Sequence, residues 1–258
     1  MSQSTTDSAG QPWAGRHFDQ NSFSGDDGKA PPKLRDAVER FHRGDVGEAE
    51  VVDAIRASRL LIPLVARLDG AGSDKTRSDE HGRTVDRSAD LAIVTVAGPD
   101  GRNVLPAFSS VETMRRWNPS ARPVPADAVR VALAAASEHT DLVVIDPASG
   151  GEFVIRRPAL WSIGRSEPWI PSYLDDEVAA AFETSARSEG SVAAIRLSPG
   201  DPDARLAGPE LAVELAIVAG LDRQALDAVL VRLQSAWAAD EVIAGRVDSL
   251  GVTLVAAS

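Results

Sequence analysis

Asp90-Leu-Ala-Ile-Val-Thr-Val-Ala-Gly-Pro-Asp-Gly-Arg-Asn-Val-Leu-Pro-Ala-Phe-Ser-Ser-Val-Glu-Thr-Met-Arg-Arg-Trp117 is the stretch whose reading decides the fold. Leu91, Ile93, Val94 and Val96 form an apolar run of strand length. Gly98-Pro99-Asp100-Gly101 carries turn chemistry, since Pro fixes φ and Gly permits positive φ. Val104, Leu105 and Phe108 resume the apolar surface as a second strand. Ser109 followed three residues later by Glu112 is a capping box and predicts a helix start. Met114 and Trp117 share a face of that helix and point it at a core.

On the N-terminal side, Leu60 to Ala66 reads as another strand. Its Pro63 removes a ladder donor and predicts an edge position or a strand start. Two short helices precede it. Pro31-Pro32 opens the first, with Leu34, Val38 and Phe41 on one face and Gly44 at its end. Asp45 and Glu48 predict a capping box for the second, whose stripe is Val51, Val52 and Ile55. Residues 1–30 are polar with scattered Trp13, Phe18 and Phe23 and predict a disordered tail. Residues 69–90 predict a flexible insertion.

On the C-terminal side, Asn118-Pro119 stops the central helix. Pro125 to Ser137 predicts a helix with Val129, Ala132, Leu133 and Ala136 inward. Leu142 to Ile145 is a buried strand, 146–151 a turn and Phe153 to Ile155 a return strand ended by Pro158. Gly164 to Pro171 reads as a connector, and Ser172 with Asp175 caps a helix striped by Leu174, Val178, Ala181 and Phe182. Beyond Gly190 the pattern changes. Val192 to Leu197 is a strand, and Leu211, Val213, Leu215 and Ile217 alternate with smaller or polar residues at strand period. Asp222 caps an amphipathic helix through Leu226, Val229, Leu230, Leu233 and Trp237, and Val252 to Val255 is a last strand. The fold class is therefore α+β, with mixed β-sheets packed against helices. The predicted division is a tail over 1–30, an α/β domain over 31–166, a connector and helix over 167–190, and a small β-β-α-β domain over 191–258.

Composition narrows the function. The hydrophobic fraction of 43% and charged fraction of 25% are those of an ordinary soluble protein. No apolar run approaches the roughly 20 residues of a membrane span, and no apolar leader is visible, so a cytoplasmic protein is expected. The net charge of −11 disfavours nucleic acid and anionic membranes as partners. With no cysteine, disulfides, thiolate catalysis and thiolate metal sites are excluded. The residues specify no oligomeric state.

Four features occur together: the Leu60 to Ala66 strand with its proline, Val104-Leu-Pro-Ala-Phe-Ser-Ser leading to Trp117, Asp141-Leu-Val-Val-Ile-Asp-Pro leading to Phe153-Val-Ile, and the separate β-β-α-β tail. In these the chain resembles the bacterial SseB ("enhanced serine sensitivity") family. Leu105-Pro-Ala-Phe-Ser-Ser110 is similar to that family's Leu-Pro-Val-Phe-Thr-Ser signature. Val143-Val-Ile-Asp-Pro147 is similar to its Val-Ile-Asn-Pro signature, with Asp146 in place of Asn. The likeness covers roughly residues 45–165, and the tail is looser. It implies a soluble mixed α/β domain and no particular reaction.

The search for chemistry yields no glycine-rich phosphate loop and no nucleophile elbow. No pair among His17, His42, His81 and His139 has helical metal-ligand spacing, so no catalytic residue, metal or cofactor is assigned. Three weaker candidates remain. Ser109 and Ser110 sit at a strand-to-helix junction, where they bind an anion or simply cap the helix. Asp146 sits at a strand end, where it contacts a ligand or opens a turn. Asp201, Asp203 and Glu210 bind Ca²⁺ or form a solvated acidic loop, and the lack of EF-hand spacing favours the loop. Trp161, Trp169 and Tyr173 cluster about the connector, as a partner-binding patch or as the seal between two domains. The leading expectation is a non-catalytic cytoplasmic module that binds a protein partner. The rival is a small-ligand binder or enzyme using Ser109, Ser110 and Asp146.

Overall fold

The computed structural model describes residues 23, 25–66, 91–137, 140 and 142–257. The predicted tail lies outside these residues except at 23 and 25–30, and the predicted insertion over 69–90 lies wholly outside them. The order of elements is α1 (Pro32–His42), α2 (Glu48–Arg56), β1 (Arg59–Ala66), β2 (Leu91–Ile93), β3 (Val96–Ala97), β4 (Asn103–Ala107), α3 (Val111–Trp117), β5 (Arg122–Asp127), α4 (Ala128–Ser137), β6 (Leu142–Ile145), β7 (Phe153–Ile155), α5 (Arg157–Gly164), α6 (Asp176–Arg187), β8 (Val192–Pro199), β9 (Leu211–Ile217), α7 (Arg223–Ala239), α8 (Glu241–Arg246) and β10 (Leu250–Ala256). The strands form three sheets, ordered β2-β1-β5, β3-β4-β6-β7 and β10-β9-β8. The α+β class read from the sequence is the observed one.

The run from Leu91 to Val96 is two strands in two sheets. β2 pairs with β1 at Leu64↔Ile93, and β3 pairs with β4 at Val96↔Val104. The turn behaves as its residues require, with Gly101 at φ 81° and the Gly98 N–H donating to the Arg102 carbonyl.

Pro63 is not at an edge: β1 is the middle strand of its sheet. The Leu61 N–H donates to the Phe108 carbonyl, away from β5. Pro63, two residues on, faces the same way, into the gap before pairing with β2 begins at Leu64. No β5 ladder bond is lost. Pro123 and Pro125, opposite Pro63 and Leu61, turn their nitrogens to the outer edge of β5. Those two prolines also explain why the predicted helix does not start at Pro125: residues before proline avoid the helical region, and 122–127 is strand. α4 therefore begins at Ala128 and buries Ala128, Val131, Ala132 and Ala135, leaving Leu133 outward. Small inward residues let α4 lie close to α5, where a Cβ on Gly164 would meet Ala132 at 3.9 Å.

Other helix ends also shift. α2 is capped by Gly47 with no side-chain bond, and Asp45 pairs with Arg43, so the expected capping box does not form. Arg157–Gly164 is a helix that starts around Pro158, a position that tolerates proline because the first-turn N–H has no intrahelical partner. Asp175, not Ser172, caps α6, which leaves Leu174 exposed and Val178, Phe182 and Ala186 buried. α8 intervenes between α7 and β10, capped by Asp240.

The four-stranded sheet is apolar on both faces. Leu105, Ala107, Val143, Ile145, Phe153 and Ile155 pack on one side with α1, α2, α4 and α5. Val104, Leu142 and Val154 point to the other side and meet Leu206, from the β8–β9 connection. That connection also closes the sheet edge: the Val154 N–H of β7 donates to the Ala204 carbonyl at 2.8 Å. β9 is the centre of its own sheet, antiparallel to β8 and parallel to β10, over a separate core of Leu211, Val213, Leu215, Val229, Leu233 and Trp237.

Arg156, 6% exposed at the end of β7, holds the connection in place. Its guanidinium donates to Asp201 at 2.6 Å and to the Gly208 carbonyl at 2.9 Å, and reaches Asp248 at 3.3 Å. Arg102 also grips Asp248, at 2.9 and 3.0 Å. Asp201 in turn accepts the Leu206 N–H at 2.7 Å. Asp201 and Glu210 are thus buried structural groups, correcting the solvated acidic loop expected from sequence. Glu210 accepts from Ser172 and from the Asp248 N–H, and Tyr173 donates to Glu48 at 3.3 Å.

These buried contacts lead to two expected outcomes. Arg156→Ala leaves Asp201 buried without its cation, while Asp248 keeps Arg102, so a loss of about 3–5 kcal/mol in urea denaturation is expected. Burial first, and the Glu210 charge second, push the Glu48 carboxyl up to about 7. A carboxyl whose folded pKa is raised binds its proton more tightly when folded. Its contribution to stability is therefore full at low pH and is lost as pH rises from the unfolded value towards about 7. Unfolding measured across that interval should show wild type losing more stability than Glu48→Gln, which has no proton to lose.

Candidate functional site

β4 and β6 run parallel, in register from Val104↔Leu142 to Ala107↔Ile145, so their carboxyl ends emerge side by side. β4 continues through Phe108, Ser109 and Ser110 into α3, while β6 continues into Asp146. Asp146 extends the ladder by one bond, its N–H donating to the Ala107 carbonyl at 2.8 Å. It then turns the chain sharply, at φ 49°, a left-handed conformation that Asp tolerates better than most residues.

The Asp146 carboxylate collects three donors. Oδ1 accepts the Ser109 N–H at 2.8 Å and the Thr113 hydroxyl at 2.5 Å, and Oδ2 accepts the Ser109 hydroxyl at 2.5 Å. Ser110 has a different task. Its Oγ accepts the Thr113 N–H at 3.1 Å and so caps α3. The capping position is one residue later than the sequence suggests, because Ser109 is held by Asp146. Glu112, the expected second half of the capping box, pairs with Arg116 instead. Ser109, Ser110 and Asp146 are brought together as one clasp. Thr113 is its unread member, and its only signal is its place three residues after Ser110.

The clasp forms part of the wall of a cleft of about 620 Å³. The opposite wall is α1, through Leu34, Arg35 and Val38, together with residues 28–30. Those residues, predicted as the end of a disordered tail, are held by Arg59. Its guanidinium donates to the Ser109 carbonyl at 2.7 Å, the Lys29 carbonyl at 2.8 Å and Asp26 at 2.5 Å. Gly28 accepts the Val111 N–H, at φ 74°, and a Cβ there would meet Val111 at 2.7 Å. Only glycine fits both demands. Lys29, Arg35, Glu39, Glu112 and Arg116 make a rim of mixed sign, and the pairs Arg35–Glu39 and Arg116–Glu112 neutralise much of it.

The aromatic candidates separate. Trp169 is buried in the main core, 9% exposed. Tyr173 is half-buried against the core of the third sheet and donates to Glu48 of α2. Trp161 is 42% exposed on α5, with the Arg157 guanidinium 5.2 Å from its ring centroid. Trp161 and Trp169 line a groove of about 300 Å³ with Ile170, which is 58% exposed. Among the described residues no group of three or more His, Asp or Glu side chains is placed to hold a metal ion, and no helix is long and apolar enough to cross a membrane.

Replacing Asp146 by Ala removes all three acceptor contacts and leaves a left-handed residue without its side-chain support. A loss of about 2–4 kcal/mol is expected from hydrogen bonds to a charged group together with the backbone penalty. Asp146→Asn retains the turn preference and one acceptor oxygen, so it should lose less. Urea midpoints of the two variants check the order.

The chain matches the model of the SseB protein N-terminal domain over residues 34–162. No curated protein and no solved structure matches it. The matched span runs from α1 into α5 and contains the clasp, the parallel pair β4–β6 and Trp161. The chain belongs to the SseB family.

Proposed function

We propose that this chain is a non-catalytic, cytoplasmic binding module that docks a protein partner on the groove carrying Trp161 and Ile170. The reading rests on one observation: these two large apolar side chains, 42% and 58% exposed, share a single groove beside the connector between β7 and α6. Tryptophan supplies large contact area at small entropic loss and is enriched among residues that dominate binding energy. The Arg157 guanidinium over the indole restrains it before a partner arrives. The matched SseB domain and the third sheet, each with its own core, are read as two domains meeting beside this groove.

A second reading, a small ligand in the cleft between α1 and α3, is favoured by the concavity at the carboxyl ends of parallel strands. It ranks below the first because each Asp146 oxygen already accepts a hydrogen bond from within the clasp. An acid or base engaged in this way is poorly placed to move a proton on a ligand.

The double variant Trp161→Ala, Ile170→Ala separates the two. Both side chains are surface groups, so circular dichroism should be unchanged. Proteins retained by the immobilised wild-type chain should be lost from the double variant and kept by Ser110→Ala. An identical retained set on wild type and the double variant overturns the groove reading.

A further inference from the structure

Sheet edges expose unpaired backbone groups, and proteins blunt them with short strands, prolines, charges, bulges or covering loops. Nearly every edge here carries such a device. β2 and β3 have three and two residues. β5 turns Pro123 and Pro125 outward. β7 is covered by the Ala204 carbonyl. β8 has a register shift between Val192 and Ala194, and carries Arg196 and Pro199. Among the described residues β10 is the exception. Leu250-Gly-Val-Thr-Leu-Val-Ala256 has seven residues, no charge and no proline, and pairs with β9 without a register shift.

Its free groups can be identified. The Ser249 carbonyl accepts from Leu211, and the Ala257 N–H donates to Ile217, so odd-numbered residues face β9. Leu250, Val252, Leu254 and Ala256 therefore point their N–H and C=O groups outward. Among the described residues none of these groups receives a hydrogen bond across that edge.

We propose that β10 is a homodimer joint, pairing antiparallel with β10 of a second copy about a two-fold axis at Thr253. In that register Val252 faces Leu254 of the second copy, and Leu250 faces Ala256. Every outward backbone group then finds a partner, in about eight hydrogen bonds. The faces also agree. Leu250 and Val252 lie on the core side of the sheet, so Leu254, 39% exposed, is brought beside Val252 of the second copy. Thr253 and Val255 lie on the open face, beyond Gly251 where Pro209 covers it, and the two threonines meet at the axis, a favourable cross-strand pair. No like charges oppose one another along the strand, in a chain of net charge −11. At about 3.3 Å per residue the joint is about 23 Å long, a narrow strip below the roughly 1,200 Å² of standard interfaces. The dimer is accordingly reversible and concentration-dependent.

The test uses the full chain. Sedimentation velocity over a concentration series should show monomer giving way to dimer and no larger species. Leu254→Pro removes an outward donor while leaving the bonds to β9, and should remain monomeric throughout. The chain has no cysteine, so Thr253→Cys can be oxidised without background. It should form a disulfide-linked dimer, because cross-strand Cα separations at such positions fall in the bridging range. Arg196→Cys, also exposed and on the opposite edge, should not. Monomer at every concentration, equal cross-linking of the two cysteine variants, or dimer retained by Leu254→Pro overturns the proposal.

Discussion

The buried guanidinium of Arg156 is the interaction on which the arrangement of this molecule depends. A four-stranded sheet with apolar residues on both faces needs two covers. The helices α1, α2, α4 and α5 supply one. The other is Leu206, with Ala204 along the β7 edge, and both lie in a connection about fifty residues further along the chain. That connection passes through left-handed backbone at Ala204 and Leu206, which disfavours it in isolation. Asp201 offsets this by accepting three N–H groups inside the connection, and Arg156 fixes Asp201. Desolvating this cation is worthwhile only because each neighbour is an acceptor. The matched SseB span ends at residue 162 and so leaves one face of its own sheet to be completed from outside.

The same logic of satisfied polar groups governs the cleft. Asp146, Ser109 and Thr113 look like chemistry when written as a sequence of hydroxyls and a carboxylate. In space they close on one another, and their hydrogen bonds tie the start of α3 to the end of β6. Arg59 repeats the device on the outer side of the junction, tying residues 26–29 to Ser109. Two clasps on one strand-to-helix junction make the cleft wall a rigid feature.

Much of the architecture was legible because apolar periodicity survives in β4, β6, β7, β9, α6 and α7. Errors cluster where a long-range partner overrides a local signal. Ser109 has the local pattern of a cap, yet Asp146, 37 positions away, claims it. Pro63 suggests an edge, yet the gap beside Phe108 excuses its missing donor. Asp201 and Glu210 suggest a wet loop, since nothing nearby announces that Arg156 and Ser172 will meet them. Spacing points Leu133 and Leu174 inward, but α4 turns Ala128, Val131, Ala132 and Ala135 to the core instead, and Leu174 lies in the turn before α6, so both are exposed. Trp161 and Trp169 are alike in sequence, and only the path of the connector decides that one is core and the other surface.

Charge gives a reason for where the open apolar surface sits. An acidic chain repels copies of itself, and at physiological salt that repulsion acts over about 8 Å. Contact surfaces in such a chain are tolerable where local charge is absent or already paired. The two apolar surfaces proposed above as contacts meet this condition. β10 is uncharged along its length, and Asp248 just before it is held by Arg102 and Arg156. Beside the Trp161 groove, Arg165 pairs with Glu167, and Arg246 pairs with Asp175 and Glu177. Internal ion pairs thus do two things in this molecule. They hold the connection against the sheet, and they neutralise charge beside the two surfaces proposed as contacts.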